Sequence, residues 1–190
     1  LSNDKKKLIV EAATKSFTIF GYKATTMSLI AKQANVGKGT IYTFFKNKEE
    51  LFDEIIDDLI NEMKYIAEKS IRDEDSFIEK AHKGISSIMA FHKEHDLTIK
   101  LIQEQKEIGT NAVNEALVRF QNAIISYISK KIEEAIEKNE IVNCDPEMTA
   151  LIMFRLYTTL TIDWEKNHDP LSPEQLTELY HLYILNGLSK

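Results

Sequence analysis

The chain has few of the residues that punctuate or staple a fold. Three prolines and six glycines in 190 residues leave long stretches without a breaker, and those stretches are rich in Leu, Ile, Ala, Glu and Lys, which are good helix formers. An all-α protein is expected. The single Cys144 cannot close an intramolecular disulfide, which excludes a disulfide-stapled secreted scaffold. No uncharged apolar run reaches the roughly 18 residues of a membrane-crossing helix, so no membrane partner is expected. The start, LSNDKKKL, leads into an amphipathic segment and not the wholly apolar one of a secretory leader. A cytoplasmic location is therefore expected. Sequences of the form H-E-x-x-H or G-x-S-x-G and paired cysteines are absent as well, so no enzyme activity, metal or cofactor is expected.

Charge is present, and it is uneven. The net charge is −6, but residues 1–50 hold nine lysines against four acids, a surplus of +5, while the remainder holds 15 basic and 26 acidic residues, a balance of −11. A basic module joined to an acidic body suggests a polyanion partner at one end only.

Helical periodicity runs through the chain. Leu8, Ala12, Ala13, Ser16, Phe17 and Phe20 recur at helical spacing up to Gly21, which predicts a first helix closed by a glycine cap. Thr26 is a good N-cap for a short second helix with Leu29, Ile30 and Ala34 inward. Asn35 tolerates the left-handed conformation of a tight turn and Gly37 can cap the next helix, so Asn35-Val36-Gly37 predicts a corner before a third helix, KGTIYTFF. Asn47 with Glu50 three residues on predicts a capping box at the head of a long fourth helix, reaching about Ser70. Further stripes are Ile78, Ala81, Ile85, Ile88 and His92, then Val113, Leu117, Phe120, Ile124, Ile128 and Ile132, with a shorter helix over 97–108 between them. Asp145-Pro146 starts a helix that is apolar round most of its circumference. The segment PLSP, residues 170–173, precedes a last helix carrying Leu176, Leu179, Tyr180, Leu182 and Tyr183. Helices apolar on more than one side call for more burial than one small domain offers, so a homodimer through the last two helices is expected, the alternative being that the helix after Asp145-Pro146 is simply the central helix of the core.

Two short helices joined by a tight corner form a helix-turn-helix, whose second helix enters the DNA major groove. At about 100° per residue, Ile41, Phe44 and Phe45 share the inward face of the third helix, while Gly39 and Thr43 point away with Tyr42, Lys38 and Thr40 beside them. Gly39 lets the backbone approach DNA, and Thr43, Tyr42 and Lys38 offer groups for bases and phosphates. Thr26 and Ser28 at the head of the second helix, with Lys46 and Lys48 near the head of the fourth, are suited to phosphate. A nucleotide-binding P-loop is excluded around Gly37-Lys38: Lys32 and Gly39 stand where that motif requires a glycine and a Ser or Thr.

From Leu8 to about Ile55 the chain resembles the DNA-binding domain of the tetracycline-repressor (TetR) family, through F-x-x-x-G-Y, T-T, I-A, G-T-I-Y, F-F and N-K-E-E-L in that order. Asn35 stands where the family often has glycine, and Gly37 where it often has serine. The resemblance implies a DNA-binding domain over 1–46 and an effector-binding and dimerisation domain over 47–190. It also implies a homodimeric transcriptional regulator, a repressor in the simplest case, released from a double-stranded palindromic operator by a small-molecule effector. The alternative is a helical carrier of small molecules whose first helices merely pack. Met89, Phe91, Phe120, Tyr127, Phe154 and Trp164 are candidates for the effector pocket. Arg155 interrupts LIMFRLY and, if buried, would need an anion, with Glu104 or Glu107 a better partner than a ligand. His92 and His95 are spaced to begin a metal site but lack a third ligand, so an exposed helix end is expected there.

Overall fold

The computed structural model describes Ser2–Ser189, whose regular structure is helical, with one isolated bridge between Ile141 and Ser189 among the described residues. In chain order the helices are α1 (Ser2–Ala24), α2 (Met27–Gln33), α3 (Lys38–Phe44), α4 (Lys48–Ser70), α5 (Phe77–Glu94), α6 (Asp96–Glu107), α7 (Asn111–Glu137), α8 (Pro146–Thr158) and α9 (Pro173–Tyr180). α8 continues through a π turn, Thr159–Asp163, and a 3-10 turn, Trp164–Lys166. α9 continues through a second π turn, His181–Leu185, into a last turn, Asn186–Leu188.

The chain forms two compact units, Leu1–Glu62 with His92–Phe120 and Met63–Phe91 with Gln121–Lys190. In the first, Ile9, Ala13, Ser16 and Phe17 make the buried arc of α1, all at 0% exposure, whereas Leu8 and Phe20 are 48% and 47% exposed. The expectation that Leu8 and Phe20 face inward is corrected. The seam follows i, i+4, i+7 and i+8 from Ile9, and Leu8 lies about 100° back from it, outside that arc, whereas Phe20 falls within the arc's angular range but stands at its far end, directly before the break at Gly21. Phe17, Tyr22 and Phe52 form an aromatic triad with centroids 4.6–5.5 Å apart, joining the end of α1 to the start of α4. Ile30, Ile41, Phe45 and Leu51 complete the interior that fixes α2 and α3.

The second unit has an aliphatic core, in which Phe77, Ile85 and Met89 of α5 are buried with Ile132, Ala150, Met153, Leu176 and Leu185. The Tyr180 hydroxyl, buried here, donates to the carbonyl of Met153 and ties α9 to α8. Asp145 caps α8 by accepting from the Met148 amide at 2.8 Å. Ser172 and Gln175 form a reciprocal capping box at α9.

Candidate nucleic-acid interface

The sequence's local signals build the corner as expected. The Thr26 hydroxyl accepts the Leu29 amide at 3.2 Å, and the turn after α2 passes through Asn35 at φ 52°, the left-handed conformation that asparagine tolerates. The Val36 amide then returns to the Ala31 carbonyl at 3.0 Å, and Gly37 opens α3 with no side-chain cap. Inside α3, Ile41 and Phe45 are 0% and 2% exposed, while Phe44 is half-buried. On the other side Lys38, Gly39, Tyr42 and Thr43 are exposed, and a side chain added at Gly39 would meet nothing within 4 Å. Thr40 is half-buried, and its carbonyl accepts the Thr43 hydroxyl proton at 2.7 Å, which leaves the Thr43 oxygen and methyl facing out. Thr26, Ser28 and Lys46 are exposed. The result is an open face of small, hydroxylated and cationic groups on a short helix.

Asn47 caps α4 through the Glu50 amide at 2.8 Å, but the returning Glu50 carboxylate takes the amide of Lys46, at 2.6 Å, and not that of the cap residue. The box is thus stretched by one residue. Lys48 stands apart from the other candidate cations. Its ammonium donates to the carbonyls of Tyr22, at 2.9 Å, and Thr25, at 3.0 Å, and lies 4.1 Å from the Tyr22 ring centroid. Desolvation lowers the Lys48 pKa, partly opposed by Glu49 and Glu104. Two of its three N–H bonds hold the corner between α1 and α2.

That corner has further ties which the sequence did not announce. The Tyr22 hydroxyl donates to Glu49 at 3.0 Å, and burial, reinforced by Glu49, pushes this phenol well above the usual tyrosine range. The buried Thr25 hydroxyl donates to the Gly21 carbonyl at 2.8 Å. From α6, the Glu104 carboxylate accepts the Tyr22 amide at 2.6 Å and the Lys23 amide at 3.0 Å. One signal for Glu104 was available: it lies seven residues after Leu97 and three after Leu101, on the buried stripe of α6, where a carboxylate demands donors.

The residues considered for an effector pocket lie in several environments. Phe120 belongs to the first unit, the others to the second. Met89 and Phe91 are buried, whereas Tyr127 is half-buried, with Lys131 5.6 Å from its ring centroid. Phe154 is half-buried and carries the Arg155 guanidinium 5.8 Å from its centroid. Trp164 is 40% exposed and stacks on His168 with centroids 3.7 Å apart, beside an open hollow that includes Pro170 and Gln175. Arg155 is exposed, so the expected buried salt bridge is corrected: Glu104 bonds main-chain amides, and Glu107 is itself exposed. Arg155 shares a face of α8 with Met148 and Ile152, which are 56% and 48% exposed, and α9 with its continuation leaves Leu182 and Tyr183 59% and 66% exposed. His92 and His95 are half-buried, not an exposed end, and His95 lies 3.4 Å from Glu62. Among the described residues no cluster of His, Cys, Asp and Glu could hold a metal, and no helix is long and apolar enough to cross a membrane.

Comparison with known proteins agrees with this geometry. Residues 9–55 match the model for bacterial regulatory proteins of the tetR family, and residues 74–188 match a tetracyclin repressor-like C-terminal domain. The chain is 56% identical over 189 residues to the HTH-type transcriptional regulator YhgD of Bacillus subtilis, covering 100% of this chain and 99% of that one. It is 27% identical over 166 residues to the fatty acid metabolism regulator protein of the same organism, covering 84% and 82% of the two chains. The solved complex of Bacillus subtilis FadR with stearoyl-CoA shares the fold, with a TM-score of 0.78 at 21% identity over 96% of this chain and 98% of that one.

Proposed function

Since the chain belongs to the TetR family of bacterial regulatory proteins, and is a DNA-binding transcriptional regulator and not an enzyme, we propose that it represses by holding a palindromic operator as a homodimer. α3 lies in the major groove with Gly39, Tyr42, Thr43 and Lys38 toward the bases. Thr40 flanks them. Thr26, Ser28 and Lys46, with the remaining proton of Lys48, meet phosphates. The observation that carries the proposal is the division of α3, with Ile41 and Phe45 sealed inside while Gly39, Tyr42 and Thr43 stand open.

The second copy docks on the apolar face left open by Met148, Ile152, Leu182 and Tyr183. Self-association through α8 and α9 gives these side chains the burial they lack in one protomer. It also presents two copies of α3 to successive major grooves, about 34–36 Å apart on B-DNA. An effector that favours a different spacing of the two copies releases the operator by shifting the population between them. The relative named for fatty acid metabolism and the neighbour holding stearoyl-CoA support an acyl chain as the effector's chemistry, in keeping with the aliphatic core of the second unit.

The test is selection of duplexes from a random-sequence library by the full chain. A palindrome should emerge, Lys38→Ala and Lys46→Ala should each reduce the salt slope by about one unit, and Thr43→Ala or Tyr42→Ala should change the preferred bases. Retention of no duplex at low salt, or preferences indifferent to both α3 substitutions, would remove the assigned face. Native mass spectrometry of the protein with stearoyl-CoA and with a short-chain acyl-CoA reads the effector class. Absence of an adduct with either, or an operator complex indifferent to both, refutes that part.

A further inference from the structure

Gly21 interrupts α1 at φ 81° and ψ 164°, which takes the amides that follow out of the helical ladder. Those amides are satisfied from far along the chain. Tyr22 and Lys23 both donate to Glu104 of α6, which is 82 and 81 positions away, and whose side chain is 3% exposed. The approach is close enough that a Cβ at Gly21 would stand 2.6 Å from the Glu104 Oε2 atom. Lys48, donating to the Tyr22 and Thr25 carbonyls, supplies the opposing charge in the same corner. One residue further, Thr26 caps α2, which with α3 forms the pair that faces DNA.

We infer that Glu104 is a positioning residue for DNA reading: from α6 its carboxylate closes the corner between α1 and α2, and that corner sets the attitude of the DNA-facing helices. The inference rests on the DNA-binding proposal above. Glu104 is sealed from solvent, so it acts without touching nucleic acid. Its partners are main-chain amides and not a side chain, so its position is passed to the backbone with no intervening rotamer. A carboxylate is the side chain suited to this place, since its two oxygens accept from two successive amides without presenting a hydrogen of its own.

The test uses the full chain as wild type, Glu104→Ala and Glu104→Gln. Each is measured against a duplex that the wild type selects from a random library and against a scrambled duplex of equal length. Amide exchange is followed at Tyr22, Lys23 and Ile41. Glu104→Ala should weaken the selected complex by about tenfold or more while leaving scrambled binding and the salt slope unchanged, because phosphate contacts survive and only their register is lost. Tyr22 and Lys23 should exchange about tenfold faster with Ile41 unaltered. Glu104→Gln keeps one acceptor and the side-chain volume, so it should fall between the two, and it carries the test if the alanine variant does not fold.

Equal weakening on both duplexes overturns the inference, because a general loss of folded protein does not discriminate between sequences. Unchanged exchange at Tyr22 and Lys23, or faster exchange with unchanged operator affinity, overturns it as well. Failure of the wild type to select any duplex removes the DNA-binding proposal and the positioning role with it. The exchange measurement then still separates that failure from a carboxylate that does not hold the corner.

Discussion

Gly21→Ala is the sharpest perturbation of this protein, because two independent costs meet at one position. The backbone at φ 81°, ψ 164° lies in a region open essentially to glycine alone, and an L side chain there costs about 1–3 kcal/mol. The new methyl would also stand 2.6 Å from the Glu104 Oε2 atom. That oxygen belongs to a buried side chain held by two amides, so moving it away breaks a charge-assisted hydrogen bond worth about 1.5–3 kcal/mol. Alanine regains only about 0.4–1 kcal/mol by restricting the unfolded chain. The net expectation is a destabilisation of about 2–5 kcal/mol, a large share of the 5–15 kcal/mol typical of a folded protein. Urea unfolding at fixed protomer concentration measures it, and the same substitution made on Glu104→Ala separates the two costs. With the carboxylate absent only backbone strain remains, so the cycle should show a coupling of about 1.5–3 kcal/mol. A Gly21→Ala protein within about 0.5 kcal/mol of wild type would refute the strain argument. An equal cost in both backgrounds would refute the contact with Glu104.

The other expectations concern the corner, the proposed dimer face and a half-buried histidine. Lys48→Ala removes bonds to two carbonyls and a cation–ring contact, so it should lower stability by about 1–2 kcal/mol in thermal melting. Lys46→Ala, at an exposed position, should leave the melting temperature in place while reducing the salt slope. Equal melting temperatures for the two variants would show that Lys48 does not hold the corner. Ile152→Glu or Leu182→Glu places a charge in the proposed dimer face, and each should yield monomers in sedimentation at concentrations where the wild type is dimeric, whereas persistence of the dimer would move the interface elsewhere. Burial holds the His92 imidazole below its ordinary pKa of 6.5. The unfolded chain therefore takes up a proton first, and the stability present above pH 6.5 is lost as pH falls below it. Denaturant midpoints measured from about pH 7 to about pH 5 should fall less steeply in His92→Gln, and equal slopes would place that pH dependence on other groups.

Much of the corner between α2 and α3 was legible because its signals are local. The Thr26 cap, the left-handed Asn35, the Gly37 start of α3 and the inward Ile41 and Phe45 all follow from neighbours within a few residues. Where helical phase alone had to decide, it slipped. Leu8 was grouped with the buried arc although Ile9 holds that place, because adjacent apolar residues at a seam differ by only about 100° and both look inward in one dimension. Lys48 illustrates a different limit: its place at the head of α4 suggests a phosphate contact, but the carbonyls it bonds lie 26 and 23 positions earlier, so no local pattern could reveal them. The effector pocket was the least legible part. Aromatic and aliphatic residues at helical spacing serve a core and a ligand equally well, and the candidates are spread over both compact units.

The Glu104 corner shows why a buried charge can be tolerated in a headpiece that otherwise packs through aromatic and aliphatic groups. Breaking α1 at Gly21 leaves amides that must find acceptors, and an apolar residue at position 104 would strand two of them at about 1–3 kcal/mol each. Burying an isolated carboxylate would be no better, but here it meets both amides with Lys48 close by. Break and carboxylate therefore depend on one another through the Tyr22 and Lys23 amides, and the ammonium satisfies the Tyr22 and Thr25 carbonyls of the same corner. These bonds tie α4 and α6 to the end of α1 where the chain turns toward α2 and α3. A substitution well away from the outward face of α3 should on this account narrow the protein's discrimination between selected and scrambled sequences, while substitutions among the apolar residues around it change mainly how stably it folds.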